Sequence, residues 1–316
     1  MKIAVLDDYQ QVAREFADFS ALEADHDVRI FHEHLGDRDA VVAALAEFDV
    51  IAAMRERTVF DRATLERLPN LKFMVTTGNR NASIDMDCLK ERGSPCASTG
   101  GRLQTTPELA WGLILAVARN IPLEDRNVRE GRWQATIGLD MQDKTLGIVG
   151  LGRLGREMAR IGQAFRMNVI AWSQNLTAED AADAGVTRVE KGDLFAQADV
   201  ITIHYKLSER SRGLVDKAAI DAMKPTAILV NTSRGPIVDY VALADALKGG
   251  RIGGAGLDVY DDEPLPVDDM MRSLPRTVLT PHLGYVSHDT YRIFYSETVE
   301  NIEAWLKGKP MRLINF

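Results

Sequence analysis

Three polar residues in the last third of the chain each follow a short apolar run. Arg234 closes Val230-Asn-Thr-Ser-Arg234 and precedes Gly235-Pro236. Glu263 stands in Gly256-Leu-Asp258-Val-Tyr-Asp-Asp-Glu263-Pro264, and His282 in Leu279-Thr-Pro281-His282-Leu-Gly284. An arginine offers a planar, two-pronged donor to a carboxylate. A histidine changes charge near neutral pH and so gives or takes a proton. A carboxylate beside the ring orients it and favours its charged form. With a hydride source, such a set can interconvert a 2-oxo acid and a 2-hydroxy acid. Each residue also has an ordinary reading, as a surface ion pair, a solvated turn acid or a loop histidine. Their joint placement after predicted strand ends favours chemistry, because ligands bind at that edge of an open α/β sheet.

The hydride source is suggested upstream. Lys144-Thr-Leu-Gly-Ile-Val-Gly-Leu-Gly-Arg-Leu-Gly155 contains Gly150, Gly152 and Gly155 in the spacing G-x-G-x-x-G. The run Thr145–Val149 reads as a buried strand, and Leu154, Met158, Ile161 and Phe165 mark one face of a helix that follows. A second strand, Asn168–Trp172, comes next. Strand, glycine turn, helix and strand is the context in which this triplet binds a dinucleotide. Gly150 allows the tight turn, Gly152 admits a pyrophosphate, and Gly155 permits close packing of helix on strand, with free helix amides facing the phosphates. An acid that would hold the adenine ribose is expected about 20 residues on. Ser173 stands there instead, so NAD and NADP both remain open.

The elements that must position these residues alternate between strand and helix. Strands are expected at Lys2–Leu6, Val28–Phe31, Val50–Ala53 and Leu71–Val75. Helices are expected at Gln11–Glu23, Asp39–Glu47 and Asp61–Arg67. Such alternation implies parallel sheets. Thr106-Pro107-Glu108 opens a long apolar helix to about Arg119, and Leu123–Asp143 reads as a polar connection. Strands follow at Val200–His204, Ala227–Asn231, Gly254–Val259 and Thr277–Leu279, and a helix from Ser287 to Lys307 ends the chain. The picture is two α/β units with a small-molecule cleft between them.

Bulk properties exclude other classes. Apolar residues make up 46% and charged residues 27%, the balance of a globular chain. With 38 Lys and Arg against 46 Asp and Glu, the net charge is −8, which argues against nucleic acid and membrane surfaces as partners. Two cysteines, Cys88 and Cys96, lack metal-ligand spacing and imply no disulfide framework. The first apolar run is too short for a signal peptide, and no stretch reaches membrane-spanning length, so a cytoplasmic protein is expected.

The segments Gly147–Gly155, Asn231–Gly235, Gly256–Pro264 and Pro281–Gly284, in that order and spacing, resemble the D-isomer-specific 2-hydroxyacid dehydrogenase family. The resemblance covers nearly the whole chain. It implies two doubly wound parallel-sheet domains: a Rossmann cofactor domain, residues 102–287, inserted into a flavodoxin-like substrate domain, residues 1–101 and 288–316. It implies Arg234 as substrate anchor, His282 as acid/base and Glu263 as its partner, with no metal. Asp258 would contact the nicotinamide amide, and Thr106 would lie near the cofactor. Further cofactor contacts are implied for Arg153 and Leu154 beside the glycines, for Ser173, and for His204, Thr232, Ser233 and Gly284. The segment Thr77-Gly78-Asn79-Arg80-Asn81 would be the loop whose amides hold the substrate carboxylate. The helix Thr106–Arg119 would link the domains and help form a homodimer.

Some positions depart from the family pattern. The substrate loop carries Asn79 and Arg80 where small residues are usual, and Trp111 replaces a glutamate common in the linking helix. Arg80, with Arg55 or Arg57, is expected to read a second anionic group on the substrate. Two other readings stay open. One is a formate- or phosphite-type dehydrogenase on the same architecture. The other is an NADH-binding, corepressor-like regulatory protein.

Overall fold

The computed structural model describes residues 1–315. The chain forms two compact units, one from Met1–Arg102 together with the chain from Val286 onward, the other from Leu103–Tyr285.

In the first unit, strands β1 (Lys2–Val5), β2 (Asp27–Ile30), β3 (Val50–Ala53), β4 (Phe73–Thr76) and β5 (Cys96–Ser98) form a parallel sheet in the order β2-β1-β3-β4-β5. Strands β3 and β4 are buried at every position, which is why they read as unbroken apolar runs rather than alternating ones. The last helix, His288–Leu306, belongs to this unit. Its Trp305 ring stacks on Phe73 at 4.9 Å, and Asn301 donates to the Ser98 carbonyl at 2.9 Å. The second unit is therefore an insertion between two parts of the first.

In the second unit, β6 (Thr145–Val149), β7 (Asn168–Trp172), β8 (Thr187–Arg188), β9 (Val200–Ile203), β10 (Ile228–Asn231), β11 (Gly254–Leu257) and β12 (Thr277–Leu279) form a seven-stranded parallel sheet. Its order is β12-β11-β10-β9-β6-β7-β8. The chain winds outward from β6 to β8, then crosses to β9 on the other side of β6. That reversal opens a crevice beyond the carboxyl ends of β6 and β9, the usual ligand position in such sheets. The glycine turn leaves β6 at this point.

Two expected segments differ. The helix expected over Gln11–Glu23 is two short helices, Ala13–Phe16 and Ser20–Asp25. Ala17 is extended, and the Asp18 carboxylate accepts the Ser20 amide at 2.9 Å, a local bond that competes with helix continuation. The connection expected over Leu123–Asp143 begins instead with a helix, Ile121–Arg129. Asn120, left-handed at φ 52°, turns the chain, and Pro122 sits in the first helical turn, where it loses no intrahelical bond. That helix buries only Asn127, so its apolar residues show no inward-facing period. Cys88 and Cys96 are both free and buried, and burial pushes the Cys96 thiol up to about 12.

Candidate active site

The glycine turn has the geometry its residue types require. Gly150 adopts φ 100°, and a Cβ there would lie 2.5 Å from the His204 carbonyl oxygen. A Cβ on Gly155 would lie 2.1 Å from the Gly150 carbonyl oxygen. Both positions exclude any side chain. Gly152, the residue capping the helix Arg153–Ala164, faces open space, where a Cβ would meet no protein atom within 4 Å. Among the described residues, two buried polar atoms just past the same strand ends make no hydrogen bond, His204 Nδ1 after β9 and Thr232 Oγ1 after β10. Unpaired buried polar atoms are rare. Together with the open face of Gly152, they fit a dinucleotide lying over this edge. Arg153 and Leu154 open the helix, with Arg153 exposed. Ser173 Oγ accepts the Leu151 amide at 2.9 Å, so the residue ending β7 does face the turn.

Register brings the polar set onto that edge as well. Strands β10, β11 and β12 are neighbours, with Asn231 opposite Leu257 and Leu257 opposite Leu279. They end level. Asp258 directly follows β11, and Arg234 and His282 stand three residues beyond the ends of β10 and β12. Neighbouring strands lie about 4.8 Å apart, so the three loops leave the sheet within about 10 Å of one another.

The loops are tied together. A Cβ on Gly235 would lie 2.2 Å from the Tyr260 carbonyl carbon, so glycine lets the Arg234 loop lie directly on the Tyr260 loop. Arg234 Nη1 donates to the Ser233 carbonyl at 2.7 Å, and Asn231 Nδ2 donates to the Arg234 carbonyl at 3.0 Å. Ser233 Oγ donates to the Tyr205 carbonyl. The Tyr260 amide donates to Glu263 Oε1 at 2.9 Å, and Glu263 Oε2 lies 2.5 Å from His282 Nδ1. The carboxylate thus engages the ring at Nδ1, leaving the proton chemistry to Nε2. The Tyr260 hydroxyl reaches the carbonyls of Leu257 and Thr280 at 3.2 and 3.1 Å.

Asp258 is fully buried. Its carboxylate accepts from Thr280 Oγ1 at 2.6 Å, the Leu283 amide at 2.7 Å and the Gly284 amide at 2.9 Å. Burial raises its pKa, while the Thr280 hydroxyl, the Leu283 amide, nearby His282 and the Gly284 amide pull it back. These bonds clasp the segment carrying His282, whose φ of 55° is left-handed and costs a non-glycine residue about 1 kcal/mol. Thr106 Oγ1 donates to the Gly284 carbonyl at 2.9 Å, fastening the helix Thr105–Ala118 to the same segment. Trp111 of that helix is buried and stacks on Phe165 at 4.8 Å, so its role is packing. Sequence reasoning assigned no job to Tyr260, although a phenol two residues after Asp258 was a signal that could have been weighed.

The loop Thr77–Asn81 belongs to the first unit. Its Thr77 and Gly78 amides are already engaged, donating to the Ala53 carbonyl at 3.1 Å and Thr99 Oγ1 at 2.8 Å. Asn79 and Arg80 are exposed. Asn81 holds the loop from below, donating to the Arg55 carbonyl and to Thr76 Oγ1. Arg55 and Arg57 are spoken for. Arg55 donates to the Thr77 carbonyl at 3.1 Å and pairs with Glu56. Arg57 donates to the Asp7 carbonyl and to the Tyr291 hydroxyl, with its guanidinium 4.4 Å from the Tyr9 ring centroid. Among the described residues no group of His, Cys, Asp and Glu is placed to hold a metal, and no helix is long and apolar enough to cross a membrane.

Two parallel α/β units, the second with a glycine-turn nucleotide crevice, define a dinucleotide-dependent class of protein. Residues 111–284 match the D-isomer specific 2-hydroxyacid dehydrogenase NAD-binding domain. A glyoxylate reductase from Korarchaeum cryptofilum is 34% identical over 93% of this chain and 87% of its own length. A D-3-phosphoglycerate dehydrogenase from Archaeoglobus fulgidus is 33% identical over 99% of this chain, which spans 58% of that longer protein. The crystal structure of a phosphoglycerate oxidoreductase from Vibrio cholerae superposes with a TM-score of 0.91 at 34% identity, covering 98% of this chain and 99% of that one. The chain belongs to the D-isomer specific 2-hydroxyacid dehydrogenase family and carries its NAD-binding domain.

His204 gives this crevice a pH signature. The residue keeps some surface, but its Nδ1 is sealed, and burial lowers its pKa from 6.5 to about 4. The unfolded chain binds this proton below about pH 6.5 and the folded chain only below about pH 4, so stability rises with pH across that window. As pH falls through it, about 3 kcal/mol is lost. Urea unfolding of His204→Asn should show a flatter dependence between pH 4 and 6.5 than the parent, and equal slopes would mean the ring is not held neutral.

Proposed function

We propose that the chain is an NAD(P)-dependent oxidoreductase interconverting a 2-oxo acid and a D-2-hydroxy acid. The observation that carries this reading is the Glu263–His282 contact on the sheet edge that also holds the glycine turn. A bound nicotinamide supplies the hydride in one direction and accepts it in the other. In the reducing direction, Arg234 holds the substrate carboxylate with its two-pronged face. His282 gives its Nε2 proton to the carbonyl oxygen, which becomes the hydroxyl. Glu263, itself fixed by the Tyr260 amide, keeps Nδ1–H oriented and stabilises the charged ring before transfer. In the oxidising direction the same Nε2 takes the proton back. Asn79 and Arg80, both exposed residues, are proposed as further donors to the substrate, since the amides of Thr77 and Gly78 are engaged. Thr106, Arg153, Leu154, His204, Thr232, Ser233, Asp258 and Gly284 are proposed around the cofactor. For Asp258 the role is indirect, because its oxygens already serve Thr280, Leu283 and Gly284.

His282→Ala should lower kcat for 2-oxo acid reduction by about 10²–10⁴-fold, with NADH binding retained. Glu263→Gln should give a smaller loss and move the pH–rate profile. Full turnover in His282→Ala would end the acid/base assignment, and no turnover of the parent on any 2-oxo acid would end the functional reading.

Arg234→Lys should reduce kcat/KM by about 10–100-fold, because a lysine cannot make both carboxylate bonds. Unchanged steady-state kinetics would remove Arg234 as substrate anchor.

We also propose a homodimer. Ile121, Val128, Trp133 and Ile137 are 52%, 53%, 77% and 97% exposed along one stretch that packs on little of its own chain. Burying them against a second copy removes apolar surface from water. Light scattering should give twice the chain mass for the parent and the monomer mass for a Val128→Asp, Ile137→Asp double variant. A monomeric parent would refute this.

A further inference from the structure

Tyr240 is the first residue of the helix Tyr240–Lys248, which Asp239 caps by accepting the Ala242 amide at 3.0 Å. Its ring is buried in the same apolar core as Leu243, Leu257 and Tyr260. A phenylalanine would fill nearly the same space. A buried hydroxyl costs free energy unless it is paired, so this one calls for partners. It has two. The hydroxyl donates to the Val259 carbonyl at 2.5 Å and accepts from Asn231 Nδ2 at 3.4 Å. Burial raises the phenol's pKa, against the pull of the Asn231 bond, so the proton stays on the oxygen at neutral pH.

These two bonds join the loops that carry the candidate chemistry. Asn231, fully buried at the end of β10, also donates from Nδ2 to the Arg234 carbonyl at 3.0 Å and accepts the Ser233 amide on Oδ1 at 3.0 Å. On the other side, the Val259 carbonyl and the Tyr260 amide belong to one planar peptide group. The carbonyl end takes the Tyr240 hydroxyl. The amide end donates to Glu263 Oε1 at 2.9 Å, and Glu263 Oε2 meets His282 Nδ1 at 2.5 Å. A single peptide plane is therefore gripped at both edges. Were its carbonyl released, the plane could rotate, and the amide that anchors Glu263 would swing with it.

We infer that Tyr240 is a positioning residue for both halves of the candidate site: its hydroxyl fixes the Val259–Tyr260 peptide that anchors Glu263, and through Asn231 it registers that peptide against the Arg234 loop. In this role Tyr240 acts through Glu263 and His282 and touches no reacting atom. The inference rests on the acid/base reading of that pair.

The test is Tyr240→Phe in the full chain, which removes the hydroxyl and keeps the ring. With NADH and a 2-oxo acid, kcat should fall by about three- to tenfold, the worth of one buried hydrogen bond. The Kd for NADH should change by less than about twofold. Reduction needs the charged ring, so its rate falls as pH rises. With Glu263 less firmly held, that limb of the pH–rate profile should move to lower pH. In a Glu263→Gln background the further loss on removing the hydroxyl should shrink to within about twofold, because both changes act through one contact. Asn231→Ala cuts the connection at the Arg234 end and should raise KM for the 2-oxo acid more than it lowers kcat. Leu243→Ala, at a fully buried position on the same helix, controls for lost stability: it should lower the urea midpoint and leave kcat and the pH limb in place. Hydrogen exchange of the Tyr260 amide, resolved by NMR, reports the grip without turnover and should quicken more in Tyr240→Phe than in Leu243→Ala. A parent that reduces no 2-oxo acid would end the dehydrogenase reading, and amide exchange would then decide the peptide grip by itself. Parental kcat with an unmoved pH limb in Tyr240→Phe would overturn the inference. So would losses that multiply in full with Glu263→Gln, or amide exchange no faster in Tyr240→Phe than in Leu243→Ala.

Discussion

A carboxylate that is fully buried must find donors, and the demand made by Asp258 organises the candidate site. An isolated charge in that position would be expensive enough to unfold the loop or to stay protonated. The donors come from a single five-residue stretch, Thr280 to Gly284, and meeting them fixes the path of the chain through His282. The left-handed conformation at His282 is a consequence of that path. A flexible loop would leave the ring free to sample orientations. Here it meets Glu263 at hydrogen-bond distance, and Glu263 is anchored in turn on the Tyr260 amide. Orientation is therefore settled before any substrate arrives, which is where much of an acid/base group's advantage lies.

The same logic runs through the neighbouring loops. Gly235 removes a side chain so that the Arg234 loop can lie on Tyr260, and Tyr260 reaches across to the Thr280 carbonyl. Each loop after β10, β11 and β12 is thus braced by the next, and level strand ends make the bracing possible. Arg234, Glu263 and His282 thus stand on loops that hold one another in place.

Much of this was legible in the residues. The alternation of strands with helices signalled parallel sheets, and the glycine triplet with its flanking strands signalled the crevice. Arg234, Glu263 and His282 stood out because each followed such a run. Other features depended on partners distant in sequence. Nothing near Asp258 tells that its oxygens will be consumed by residues 280–284, and nothing near Arg57 tells that it will settle between the Asp7 carbonyl and Tyr291. The helix Ile121–Arg129 was hidden for another reason. Its apolar residues face outward, so the periodicity that reveals a core helix was never present.

The crevice itself inverts the economy of the acid/base loop. There, both buried oxygens of Asp258 are satisfied from within the chain. At the ends of β9 and β10, His204 Nδ1 and Thr232 Oγ1 are sealed without a donor or acceptor among the described residues. Leaving such an atom unpaired costs about 1–3 kcal/mol. A fold that tolerates two of them beside a turn cleared of side chains at Gly150, Gly152 and Gly155 has kept polar capacity in reserve. A ligand with complementary donors and acceptors recovers that free energy on binding, and an apolar one does not. A polar occupant thus suits this crevice as much for what the backbone withholds as for what it offers.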